Sequence, residues 1–319
     1  MTGSTGFLGN NLLRFLLKKH PDTPIIGYSK RTYVDNPVSG DDLRENPCFI
    51  PVQGDILDTL LFLNTLKEHK IEVIYHLAAS THVDRSFIYP KEFLETNVYG
   101  TFSILEALKH YKNEALLINM GTDEVFGDVP EKFCREDDVI APRNPYSASK
   151  ASAEMFCNAY RHSFGTKVIT ARSMNMYGEY QHPEKLIPKI ITRCLSDTHF
   201  TLYEGNSVRG WTYVQDTCEA LSLLAERGEV GETYHIPPDA YLTVSEVAQK
   251  ILDLTGKHEL FDGYKGRRLK DDERYALDAT KFTYKLKWTP PTGFDKGMEN
   301  TIRWFADNKW FWCHLTREK

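Results

Sequence analysis

Met1-Thr2-Gly3-Ser4-Thr5-Gly6-Phe7-Leu8-Gly9 is the stretch on which the fold turns. Glycines at three-residue spacing permit a tight turn and close approach of a pyrophosphate to the backbone, and the helix that begins there turns its positive amino terminus toward the anion. The reading makes Gly3, Thr5, Gly6, Phe7, Leu8 and Gly9 a dinucleotide cradle. A glycine triplet alone is weak evidence, and two later segments strengthen it. Gly54-Asp55-Ile56 sets a carboxylate where it can accept from an adenine amino group, with Ile56 beside it. Leu77-Ala78-Ala79 supplies small residues against which a dinucleotide can lie flat. Such a unit needs a buried apolar strand feeding the turn, and the sequence opens on the turn itself. The first strand is therefore missing. An empty central slot would leave two rows of backbone groups unpaired, so the expectation is that residues ahead of Met1 are absent from the sequence as given.

Outward from this turn, short apolar runs alternate with longer amphipathic stretches, which is the signature of a parallel sheet covered by helices. Strands are predicted at 24–28, 49–53, 73–77, 116–119 and 167–171, with helices starting near Gly6, Leu57, Pro90 and Pro145. The fold class is α/β: a Rossmann-like doubly wound parallel sheet over residues 1–171, followed by a smaller α/β substrate domain over residues 172–319. Residues 211–236 are expected to return to the first unit, with 211–224 read as a turn and a helix. Prolines punctuate the second half at 183, 188, 237, 238, 290 and 291. The terminal Trp310-Phe311-Trp312 reads as core or subunit contact.

A net charge of −5 offers no general attraction for nucleic acid, and no apolar stretch is long enough to span a membrane. The six cysteines lack CxxC spacing, which suggests neither a metal site nor a disulfide framework. With no leader evident, the cytoplasm is the expected location. After the second predicted strand, where an NAD site usually carries an acid, stand Ser29-Lys30-Arg31. A hydroxyl and two cations suit a 2′-phosphate, so the cofactor is NAD or NADP, with NADP accepted.

Chemistry concentrates in the middle of the chain. Tyr146 and Lys150 are one helical turn apart, so the ammonium can lie close to the phenol and favour its phenolate. Upstream, Thr122-Asp123-Glu124 follows a predicted strand. Two acids confined in one pocket do not both ionise easily; one is pushed toward the neutral acid while the other stays a base.

With His76 through Ser86, Glu95-Thr96-Asn97-Val98-Tyr99-Gly100-Thr101, Thr122 through Gly127, Asn144-Pro145-Tyr146 through Lys150 and Arg172 through Gly178, the chain resembles the nucleotide-sugar members of the extended short-chain dehydrogenase/reductase family. It is most similar there to the 4,6-dehydratases acting on dTDP- or UDP-glucose. The resemblance implies a hydro-lyase with a recycled NAD or NADP, and Thr122, Asp123, Glu124, Tyr146 and Lys150 as catalytic residues. It adds Asn97, Tyr146 and Lys150 to the cofactor site. It implies that Ser80, Thr81 and His82 line the sugar pocket and that Asn175, Lys185, Leu186, Tyr203, Arg209 and Arg268 hold the nucleotide diphosphate. It also implies a homodimer through the helices around residues 91–111 and 146–162. Departures fall at Gly210, at His235-Ile236-Pro237 and at residues 270–274. The alternatives are a nucleotide-sugar 4-epimerase or decarboxylase, in which the Asp123-Glu124 pair has no elimination to serve, and a catalytically silent cofactor-sensing protein, which the retained Tyr146 and Lys150 disfavour.

Overall fold

The computed structural model describes residues 1–30, 40–111, 114–266 and 272–316. The first half runs α1 (Phe7–Lys19), β1 (Ile25–Ser29), β2 (Phe49–Gln53), α2 (Thr59–His69), β3 (Val73–His76), α3 (Val83–Ile88), α4 (Pro90–Phe93), α5 (Gly100–His110), β4 (Leu116–Thr122), α6 (Pro145–Phe164) and β5 (Val168–Ser173). β4 and β5 are buried along almost their whole length, as strands covered on both faces must be. They pair in parallel with each other, β4 pairs with β3, and β1 pairs with β2.

The slot between β1 and β3 is closed by the glycine turn itself. Thr2 bridges in parallel to Tyr28 on one side and His76 on the other. Its amide donates to Tyr75 O and the Gly3 amide to Tyr28 O, each at 2.9 Å. The Thr2 hydroxyl is 2.8 Å from His76 Nδ1 and also accepts from the Leu77 and Ala78 amides. Thr2 thus pairs on both sides and joins the two parts of the sheet. Gly3 adopts φ +68 there, and a Cβ on it would lie 2.8 Å from the Ala78 nitrogen, so no other residue fits that corner without strain.

The second half runs β6 (Asn175–Tyr177), α7 (Leu186–Leu195), β7 (Phe200–Leu202), β8 (Val208–Tyr213), α8 (Val214–Arg227), β9 (Thr233–His235), β10 (Ala240–Thr243), α9 (Val244–Thr255), β11 (Phe261–Tyr264), α10 (Thr280–Leu286), α11 (Phe294–Asp307) and α12 (Lys309–Trp312). β9 extends the main sheet beside β5, giving the order β2-β1-Thr2-β3-β4-β5-β9. α1 and α8 cover one face of it, and α2, α5 and α6 cover the other. β6, β8 and β10 form a small mixed sheet, β7 pairs with β11, and both sit over a separate core closed by α7, α9 and α11. The segment 211–224 departs from its sequence reading. Trp211, Thr212 and Tyr213 end a strand rather than form a turn, because aromatic and β-branched residues between two partner strands favour pairing. Phe311 and Trp312 are buried in the second core, while Trp310 is exposed.

Candidate active site

β4 ends at Thr122, and one 3-10 turn, Asp123–Phe126, carries the chain out of the sheet at its carboxyl edge. Opposite it, α6 begins with a capping box: the Asn144 side chain accepts from the Ser147 amide at 2.8 Å, the Ser147 hydroxyl returns to the Asn144 amide, and Pro145 occupies the first helical position. That well-defined start fixes Tyr146 and Lys150 on the buried face of the first turns. Asn144 also ties the two elements together, its Nδ2 donating to Glu124 Oε2 at 3.0 Å. Asn144 went unassigned in the sequence reading, although an Asn directly before Pro at a helix start is a legible capping signal.

Thr122, Asp123, Glu124, Tyr146 and Lys150, the five residues expected to be catalytic, all line one cavity of about 620 Å³. The Thr122 hydroxyl donates to Asp123 Oδ1 at 3.0 Å and lies close enough to the Tyr146 phenol to favour its ionised form. Tyr146 is buried edge-on against Phe93. Lys150 Nζ donates to the Met120 carbonyl at 2.5 Å. Asp123 Oδ2 is buried with no hydrogen-bond partner among the described residues. Burial, then the charge of Glu124, pushes the Asp123 carboxyl up to about 7, against the pull of the Thr122 hydroxyl and Arg209. Burial likewise pushes the Tyr146 phenol up, with Glu124 and Asp123 adding to it and the Thr122 hydroxyl opposing.

A raised carboxyl pKa has a sign in stability. The native state holds the Asp123 proton more tightly than the unfolded chain does. The contribution is therefore fully present below the ordinary carboxylate range and is lost as pH rises toward about 7. Such a shift is worth on the order of 4 kcal/mol. Asp123→Asn, which removes the titration, is expected to raise Tm by several degrees at pH 8 and by little at pH 4. Thermal unfolding at the two pH values measures it, and equal Tm differences at both would show that Asp123 is not held neutral.

Gly3, Thr5, Gly6, Phe7, Leu8 and Gly9 line the same cavity, as do Leu77 and Ala79. The cradle fits a dinucleotide: α1 has Gly6 at its N-cap with no side-chain cap, and a Cβ on Gly6 would meet only the Gly3 carbonyl, at 3.4 Å. Its first-turn amides are thus available to an anion. Ser29 Oγ lies 3.1 Å from Ser4 Oγ and accepts from the Thr5 amide at 3.3 Å. Lys30 is committed elsewhere, its ammonium 2.7 Å from Asp55 Oδ2, while Asp55 Oδ1 accepts from the Leu57 amide at 3.1 Å. Ile56 is buried against Gly100. Arg31 and Arg268 lie outside the described residues.

Thr81, His82, Asn175, Lys185, Leu186, Tyr203 and Arg209 also line the cavity. Ser80, Ala78 and Asn97 do not. The Asn97 side chain clamps Ser80, accepting from its amide at 2.8 Å and donating to its carbonyl at 3.0 Å, and donates to Ser149 Oγ at 2.8 Å. It therefore braces the wall of the cavity against α6 and is spent before a cofactor could use it. Arg209 is buried, with Nη2 donating to Asp272 O at 2.7 Å, Nη1 to Val208 O at 3.0 Å, and its guanidinium 4.5 Å from the centre of the Tyr275 ring. At Gly210 beside it a Cβ would lie 2.1 Å from Met174 Sδ, so a side chain there would need Met174 to move. Tyr203 is half exposed and Lys265 Nζ lies 4.5 Å from its ring centre, leaving the other face for stacking. Tyr275 and Lys265, both cavity-lining, were missed because the sequence around them carries no periodic signal.

The family model described as GDP-mannose 4,6 dehydratase matches residues 1–301. The dTDP-glucose 4,6-dehydratase of Salmonella typhimurium is 33% identical over 97% of this chain and 93% of its own length. A trifunctional UDP-glucose 4,6-dehydratase, 3,5-epimerase and reductase of Arabidopsis thaliana is 36% identical over 98% of this chain and 47% of its own. Among solved structures, a double mutant of the Streptomyces venezuelae dTDP-glucose 4,6-dehydratase DesIV with NAD bound superposes with a TM-score of 0.93 at 34% identity, covering 99% of this chain and 98% of that one. The glycine cradle, the Thr122-Asp123-Glu124 turn and the Tyr146–Lys150 helix face are set in a fold matched along its length, and the chain belongs to the GDP-mannose 4,6 dehydratase family.

Proposed function

We propose that this protein is a nucleotide-sugar 4,6-dehydratase acting on dTDP- or UDP-glucose, with NAD bound and recycled. The observation that carries the reading is Asp123. A buried carboxyl pushed up to about 7, with one oxygen lacking a hydrogen-bond partner among the described residues and a second acid next to it, is what loss of the 6-hydroxyl requires, and epimerisation has no use for it.

A dinucleotide held by Gly3, Thr5, Gly6 and Gly9 would supply the hydride acceptor for oxidation at C4 and the hydride donor for reduction at C6. The residues handle the protons. Tyr146, assisted by Lys150, removes the proton of the 4-hydroxyl, and the resulting ketone acidifies C5. Glu124, oriented by Asn144, takes the C5 proton. Asp123 gives its proton to the departing 6-hydroxyl, which leaves as water. Glu124 then returns its proton to C5 as the double bond is reduced. At the end Tyr146 holds one proton too many and Asp123 one too few. Thr122, hydrogen-bonded to Asp123 and beside the Tyr146 phenol, is the bridge across which that proton returns.

The Lys30–Asp55 ion pair neutralises the charge that would favour a 2′-phosphate, and supports NAD over NADP. The test is to incubate the purified protein with dTDP-glucose and UDP-glucose separately, without added cofactor, and to follow product mass and the dinucleotide released on denaturation. Loss of one water from either sugar and release of NAD are expected. Unchanged mass with formation of the galactose isomer would replace the reading by a 4-epimerase.

No helix among the described residues is long and apolar enough to cross a membrane; the cytoplasm fits a pathway whose substrates are charged nucleotides. A homodimer is proposed from the exposed apolar residues Ile88, Leu94 and Tyr99 on the segment leading into α5 and Met155, Phe156 and Phe164 on α6. Light scattering should give twice the chain mass. Leu94→Glu with Met155→Glu should give the single mass, and a wild-type monomer at working concentration rejects the dimer.

A further inference from the structure

Three residues of α6 stand one turn apart on its buried face: Tyr146, Lys150 and Glu154, at 8, 6 and 2% exposure. Glu154 does not line the cavity. Its Oε2 accepts from Arg172 Nε at 3.0 Å and Nη2 at 2.8 Å. Its Oε1 is buried and has no hydrogen-bond partner among the described residues. A buried carboxylate oxygen left so is costly and calls for an explanation. Its position offers one. Oε1 lies over Gly121, so close that a Cβ there would meet it at 2.4 Å. The neighbouring residue on β4, Met120, supplies the carbonyl that receives the Lys150 ammonium.

We propose that Glu154 is a positioning residue for Lys150: its unpartnered oxygen keeps the ammonium charged beneath Tyr146, while Arg172 holds the carboxylate back from closing a direct ion pair. Arg172 can do so because it is itself fixed, with Nη1 donating to Glu136 O at 3.2 Å and lying 3.3 Å from His235 Nε2. A direct pair would sequester the lysine; an anion held at a distance stabilises its charge and leaves its donors free to turn toward the cavity.

The other charged and titratable groups around Lys150 do not supply this. Tyr146 and Cys157 share its helix, His76 faces it from β3 and is kept neutral by burial and by Lys150 itself, and Asp123 and Glu124 lie beyond Tyr146. Burial pulls the Lys150 ammonium below its ordinary value, and Glu154 is the larger of the two charges that oppose it, Cys157 the lesser.

The inference rests on the dehydratase reading only in that Lys150 assists Tyr146. The experiment is Glu154→Gln, scored by the pH dependence of the oxidation half-reaction in a single turnover, a step that does not use Asp123. The alkaline limb, where Lys150 loses its proton, is expected to move down by about one pH unit, a tenfold loss on that limb, with near wild-type rates below it. An unmoved limb with a uniform drop at every pH would make Glu154 merely structural and overturn the proposal. Should the lone Arg172 charge prevent folding, Glu154→Gln with Arg172→Met removes both charges and must show the same displaced limb. If the wild-type protein turns over neither sugar, the activity reading fails separately. Nitrogen NMR of the lysine ammonium in the resting protein then decides, a lowered Lys150 midpoint in Glu154→Gln supporting the role and an unchanged one rejecting it.

Discussion

Replacing Tyr146 by Phe is expected to lower turnover by about 10²–10⁴-fold, the range set by losing one acid–base group, with the fold intact. The ring is buried and packs edge-on against Phe93, a contact that phenylalanine keeps. What is lost is the phenolic oxygen, and with it the proposed acceptor for the 4-hydroxyl proton beside Thr122. The block falls on the first step. Reduced nicotinamide should therefore fail to develop in a single turnover, and no later species should accumulate. An unpaired ketone intermediate, or oxidation of the sugar at near wild-type rate, would remove Tyr146 from the role of base. Burial and the carboxylates of Glu124, Asp123 and, least, Glu154 push the phenol up, so its ionisation depends on positive charge brought close. A nicotinamide cation over this face and the ammonium of Lys150 are the charges able to supply it. Lys150→Met should accordingly reproduce much of the loss, although it leaves the phenol in place.

The sheet and the catalytic wall were legible because both are written in local patterns. β2 has the predicted bounds and β1, β3, β4 and β5 begin within a residue of them, since apolar runs between amphipathic helices leave little choice of structure. The Tyr146–Lys150 spacing and the acidic pair after β4 likewise carry their geometry in the sequence. What stayed hidden depends on partners distant along the chain. Nothing local says that Thr2 pairs on both sides, because the pairing is made by Tyr28 and His76. Lys30 is paired with Asp55, twenty-five positions on, so its charge is answered by a residue that the sequence reading had given to adenine. Asn97 sits in a family motif, yet its amide is spent on Ser80 and Ser149. Arg209 was expected to meet phosphate and is found donating to backbone carbonyls over Tyr275. Glu154 is the same lesson in reverse: a helix residue with no motif around it becomes informative only once Arg172 and Gly121 are seen beside it.

Asp123→Asn and Glu124→Gln are expected to separate oxidation from elimination. Each should slow the release of dehydrated sugar by about 10²–10⁴-fold while leaving the oxidation half-reaction in place, so reduced nicotinamide should build up where Tyr146→Phe shows none. The two should then part company. In the proposed mechanism Glu124 is the base, and Gln cannot accept the C5 proton; exchange of that proton with deuterated solvent should stop. Asp123 is the proposed acid, and with Asn in its place C5 exchange should continue while the 6-hydroxyl is retained. The wild-type pH profile follows from the same assignment. Burial and Glu124 hold the Asp123 carboxyl up to about 7, so the acid form is present below that pH and elimination should decline as pH rises through it. Asn in this position abolishes that limb along with most of the rate. Product mass, nicotinamide absorbance and deuterium content read on the same samples make the outcome unambiguous. Continued turnover in both variants with inversion at C4 and no loss of water would mean that the pair is not an elimination apparatus, and that the cavity serves a 4-epimerase built on the same oxidation.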